Sequence, residues 1–77
     1  MTGKQVAHLV RMANQIAINL GAGRDIDETG RLTAEHMRKF WTRDMRTQLA
    51  AHARQPGDDL LPAVRRALSD DEELGET

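Results

Sequence analysis

The stretch DIDETGRLTAEH, residues 25–36, comes within two residues of a calcium-binding loop. Such a loop reads D-x-[DN]-x-[DN]-G-x5-E, and Asp25, Asp27 and Gly30 fall at its first, third and sixth positions, with Leu32 as the apolar eighth. Its chemistry depends on a glutamate at the twelfth position, which gives both oxygens to a hard cation. His36 stands there instead. Glu35 is one residue early, and on a helix that turns its carboxylate about 100° away from the ion. Thr29 is a neutral group at the fifth position, and residues 37–77 offer no second loop to pair with this one. The same letters read as a polar connector feeding a helix. Thr33 is then the N-cap, Glu35 sits in the first turn against the helix dipole, and Leu32 and Met37 flank the cap as a hydrophobic staple. The expectation is no metal site.

Other chemistry is thinly provided for. His8, His36 and His52 are the only imidazoles, they fall on different elements, and none has a second ligand at a spacing such as H-E-x-x-H. The GAG of residues 21–23 follows a helix, where a dinucleotide-binding turn follows a strand, so it reads as a helix stop. The expectation is that the chain is not an enzyme by itself: no catalytic, cofactor-binding or metal residues.

The elements that must position these residues are short. Seventy-seven residues allow one small domain with little core, and with no cysteine there is no disulfide, thiolate zinc site or iron–sulfur ligation to hold it. A partner subunit or self-association is the remaining support. No run reaches the length of a membrane span, and MTGKQVAHLV lacks a signal peptide's apolar core, so a soluble cytoplasmic protein with no membrane contact is expected. The formal charge is −1, with five acidic residues and no basic one in SDDEELGET, which leaves residues 1–68 with 11 basic against 7 acidic side chains. That excess is too mild for a nucleic-acid-binding signature.

Val6, Leu9, Val10, Ala13, Ile16, Ala17 and Leu20 recur at helical spacing and predict a helix over residues 3–20, capped by Thr2 with Gln5 behind it and stopped by Gly21 and Gly23. A second helical stretch follows Thr33 with Met37, Phe40, Trp41, Met45 and Leu49. A break is favoured at Thr42, which can cap a new start. Pro56 and Gly57 end it. The last helix opens at Asp58 or Asp59 with Pro62 in its first turn, and its inward residues are Leu60, Leu61, Val64, Ala67 and Leu68. The fold class is all-α, a bundle of three to four short helices over residues 1–68, followed by an acidic tail, residues 69–77, expected to be disordered.

One face of the first helix stands apart. Counting about 100° per residue from Val6, the apolar stripe spans about −80° to +40°, while Asn14, Ile18, Arg11 and Gln15 fall at about 80°, 120°, 140° and 180°. Ile18 is thus apolar on the polar side. It is either an ordinary exposed isoleucine or part of a face buried against a partner. Phe40 and Trp41, as helical neighbours, point about 100° apart, so a core this small hardly takes both. Trp41, with Arg38, Arg43 and Arg46 nearby, has the composition of a protein–protein hot spot. Both rings sharing one core with Met37 and Met45 is the other reading.

LVRMANQIA, HMRKFWTRDMR and LLPAVRRAL, in this order, resemble the small delta subunit of cytoplasmic NAD-dependent formate dehydrogenases, the multisubunit molybdenum or tungsten enzymes. That family carries a helix close to R-M-A-N-Q-I-A, a variable connector, a segment close to H-I-x-x-F-W-D-P-R-M-R and a helix close to L-x-P-x-V-x-x-A-x-x-x-L. Arg11 to Ala17 match the first motif. His36, Phe40, Trp41, Met45 and Arg46 match the second, and Leu60 or Leu61, Pro62, Val64 and Ala67 the third. Thr42, Arg43 and Asp44 depart from the family's Asp-Pro-Arg, and the near-calcium loop falls in the variable connector.

The resemblance implies an accessory subunit without cofactor, part of a complex that oxidises formate to CO2 and reduces NAD+. The bis-pterin molybdenum or tungsten centre, iron–sulfur clusters and FMN are implied for the other subunits. Docking on the catalytic alpha subunit, to stabilise or mature it, is the implied role. Arg11, Asn14, Gln15, Ile18, Trp41 and Arg46 are the expected partner-interface residues. The rivals are a maturation factor that leaves after molybdenum cofactor insertion, a helix-turn-helix DNA-binding regulator and a calcium sensor. A connector of twelve residues with two acids at its centre speaks against the DNA-binding form.

Overall fold

A computed structural model describes the backbone of residues 2–75 and the side chains of residues 5–69. Four helices follow one another: α1 (Thr2–Leu20), α2 (Ile26–Phe40), α3 (Arg43–His52) and α4 (Pro62–Gly75). No strand occurs among the described residues. α1 closes as its sequence predicts. Gly23 takes the left-handed conformation, and the Arg24 guanidinium donates to the Leu20 carbonyl at 2.8 Å, at the end of the helix where carbonyls lack partners.

The connector is where the structure departs from expectation. α2 begins at Ile26, not after Thr33, because Asp25 is the cap: its Oδ1 accepts the Glu28 N–H at 2.8 Å, and its own backbone is extended. Asp27 and Glu28 then lie in the first turn, and Arg38 and Lys39 in the last, each favoured by the helix dipole. Residues 26–36 are therefore continuous helix, which leaves no calcium loop. Thr33 is fully buried in the middle of α2 and caps nothing.

The break at Thr42 is present. Trp41 leaves α2 in extended conformation, and the Thr42 hydroxyl accepts the Met45 N–H at 3.1 Å to start α3. α4 starts at Pro62, three residues or more beyond the expected opening, and its backbone continues through Gly75. The expected disordered tail has its side chains, from Asp70 on, outside the described residues.

The core gathers Leu9, Val10, Ala13 and Ala17 of α1, Met37 and Trp41, Leu49 of α3, and Leu60, Ala63, Val64 and Leu68. Its closest seam joins α2 to α4 at Gly30. A Cβ there would lie 2.5 Å from Arg66 Cγ, 2.8 Å from Arg66 Cβ and 3.2 Å from the Ala63 carbonyl oxygen. These are atoms at or near the α4 backbone, which cannot swing aside. The Arg66–Asp27 pair at 3.3 Å bridges the same seam on an exposed edge, where such a pair adds little.

Gly30→Ala tests the seam. Helix propensity alone would favour alanine by about 1 kcal/mol, while overpacking costs about 1–3 kcal/mol. The expected result is a net loss of up to about 2 kcal/mol in urea unfolding followed by circular dichroism. A stability gain would mean that α2 and α4 can part without cost.

Candidate functional site

α1 presents two faces with different fates. Leu9, Val10, Ala13 and Ala17 are buried, while Arg11, Gln15 and Ile18 are exposed, Ile18 at 57%. Gln15 reaches only along its own helix, to Asn19 Oδ1 at 3.4 Å. Three of the six expected interface residues therefore share one solvent-facing strip, in the order the helical period predicts.

Asn14, at the strip's edge, is used inside the molecule. Its Nδ2 donates to the Asp59 carbonyl and its Oδ1 accepts the Leu61 N–H, both at 3.0 Å. Leu61 is the residue before α4, and its carbonyl accepts the N–H groups of Val64 and Arg65 at 2.9 and 3.1 Å. One amide thus holds the entry to α4 against α1 at two points. The helical period alone puts Asn14 with the docking face, because nothing local reveals a partner 45 residues away.

Asp58 completes this inner joint. It is buried, and its Oδ1 accepts the Leu60 N–H at 3.1 Å, as in an Asx turn, together with Arg65 Nη2 at 2.5 Å. Gly57 and Asp59 on either side are both left-handed, with φ of 72° and 62°. Asp is among the few side chains that tolerate this region. His52 Nε2 lies 3.1 Å from the Asp58 carbonyl, so that nitrogen carries the proton. The imidazole meets the backbone and the carboxylate meets Arg65, which is the wiring of a structural joint and not of a His–Asp acid–base pair. In the sequence Asp58 and Asp59 resemble the start of a helix; the D-x-L spacing of an Asx turn is the local signal for what they form instead.

The aromatic pair divides, but with the roles exchanged. Trp41 is 6% exposed and part of the core, whereas Phe40 is 70% exposed, its ring tilted at 45° to His36 with centroids 4.7 Å apart. The expected anchor is therefore internal. Arg46, in the second turn of α3, is half-buried. On the outer side of α2, Arg31 donates to Glu28 at 2.8 Å, which raises its pKa by that hydrogen bond and by the carboxylate's charge. Among the described residues no three His, Cys, Asp or Glu side chains gather as a metal ion would require, and no described helix is long and apolar enough to cross a membrane.

A family model described as NADH-dependent formate dehydrogenase delta subunit FdsD matches residues 8–68, from the first half of α1 to the Ala67–Leu68 turn of α4. Sequence and structure searches return no match among curated proteins or solved structures.

The inner role of Asn14 predicts a stability effect in the isolated chain. Asn14→Ala leaves the Leu61 N–H without its acceptor, which costs about 1–3 kcal/mol. For a chain of this size the melting temperature should fall by roughly 4–8 °C per kcal/mol. An unchanged melting curve would place the amide back on the surface.

Proposed function

Since the chain belongs, over residues 8–68, to the NADH-dependent formate dehydrogenase delta subunits, we propose that it is a non-catalytic accessory subunit that docks on the metal-containing catalytic alpha subunit and stabilises or matures it. On this reading the reaction, formate and NAD+ to CO2 and NADH, runs in other subunits of a cytoplasmic complex. Those subunits would hold the bis-pterin molybdenum or tungsten centre, the clusters and FMN. The absence of cysteine fits this division, because the chain offers no thiolate to an iron–sulfur cluster.

The observation that carries the docking role is the exposed strip Arg11, Gln15 and Ile18 on α1, within the family-matched region. The core uses the opposite face of the same helix, so the strip is free of folding duty. Trp41 and Asn14, by contrast, act through the fold. They shape the surface from beneath.

The turn between α1 and α2 spans only residues 21–25, so connector length no longer argues against a helix-turn-helix. Family membership speaks against it instead.

The test is capture of the catalytic subunit by variants of the full chain. Arg11→Glu reverses a charge and Ile18→Asp introduces one in a desolvated contact, and each should cost about 2–5 kcal/mol of binding, enough to abolish recovery. Circular dichroism of each variant alone should match wild type, since neither residue belongs to the core. Wild-type recovery by both variants would remove the strip from the interface. A chain absent from purified mature enzyme but bound to the cofactor-free form would be the transient maturation factor.

A further inference from the structure

Phe40 is the largest apolar side chain the fold leaves outside, and its position is imposed by its neighbours. Trp41 turns into the core as α2 ends, which fixes Phe40 outward at the last helical residue. Its ring packs against the His36 imidazole, with centroids 4.7 Å apart, and is otherwise open to solvent. Leu32, His36 and Phe40 lie four residues apart on α2 and form one ridge. Leu32 and His36 are half-buried.

The charges at the Phe40 end of this ridge are basic, while Glu28 and Glu35 lie toward its Leu32 end, Glu28 paired with Arg31. Lys39 and Arg43 are exposed, and neither has a carboxylate in ion-pair range among the described residues. Asp44 is engaged by the Gln48 amide at 2.8 Å, and Glu35 stands one turn before Lys39 on α2. Arg43 follows Phe40 by three residues, a span of at most about 11 Å, and is likewise exposed. It is also the first residue of α3. A cation there opposes the helix dipole, where an acidic residue would be favoured. A local rule broken without an internal gain is what a functional surface leaves behind.

We infer that the Leu32–His36–Phe40 ridge with Lys39 and Arg43 is a second docking surface, whose occupant is an acidic surface of another formate dehydrogenase subunit with an apolar pocket for the Phe40 ring. The inference rests on the reading that this chain assembles with those subunits. A second copy of the chain fits poorly, because a two-fold contact would set Lys39 and Arg43 against their own counterparts. Phe40 supplies the anchor, and the two cations supply register and approach rate.

The experiment measures binding of full-length variants to the purified complex of the other subunits at several salt concentrations. Phe40→Ala replaces an exposed ring by the best helix former, and Arg43→Glu places an acid at a helix start, so both chains should fold as well as wild type. Phe40→Ala should bind at least tenfold more weakly with the wild-type salt dependence. Arg43→Glu should bind at least tenfold more weakly and with a flatter salt dependence. Wild-type affinity in both variants would overturn the inference, and so would self-association of the wild-type chain that Phe40→Ala abolishes. Loss of binding with Arg11→Glu alone would overturn it while leaving the α1 strip in place. A wild-type chain that binds none of the subunits would overturn both.

Discussion

The seam between α2 and α4 at Gly30 governs this bundle, because the two helices lie so close that even a methyl group meets the stem of Arg66 and the Ala63 carbonyl. That approach requires small side chains along α2, and Thr29, Gly30, Thr33 and Ala34 provide them. Dispersion contacts between the α2 backbone and the Arg66 stem and Ala63 of α4 then do what large side chains do in a bigger core. The cost is local, since glycine and β-branched threonine are poor helix formers and α2 depends on its Asp25 cap and on α4 to stay helical.

This explains what could and could not be read from the letters. α1 was legible because its apolar period and glycine stop agree; the expected cap, Thr2, has its side chain outside the described residues. α2 was misread in its first half because residues chosen for close packing look like a turn: a glycine and two threonines among acids suggest a loop. The signal present was Asp25 followed three residues later by Glu28, the spacing of a capping box, with Thr29, Gly30, Thr33, Ala34 and Met37 behind it on one helical face. The break at Thr42 was legible from its capping position. Which of Phe40 and Trp41 turns inward was not, because it depends on how α2 ends.

The candidate site shows the same division. Exposure of Arg11, Gln15 and Ile18 follows from helical period alone and holds in the structure. Asn14 shares their neighbourhood on the wheel, yet its amide is spent on residues 59 and 61. Asp58 was missed for a related reason: a buried carboxylate between two left-handed residues is a tertiary arrangement, and only its Asx spacing is local. The fold thus takes some of the polar groups of the family-matched region for its own joints. The strip on α1 and the ridge ending at Phe40 are left facing outward.

The central claim is that these outward surfaces, and not the buried Trp41, meet the other subunits of the delta subunit's complex. Hydroxyl-radical footprinting of the chain, free and within the assembled formate dehydrogenase, reads both sides of that claim at adjacent residues. Phe40 and Ile18 should be modified in the free chain and protected in the complex, while Trp41, despite its intrinsic reactivity, should be protected in both. Equal modification of Phe40 and Ile18 in the two states, or Trp41 open in the free chain and shielded only on assembly, would contradict it.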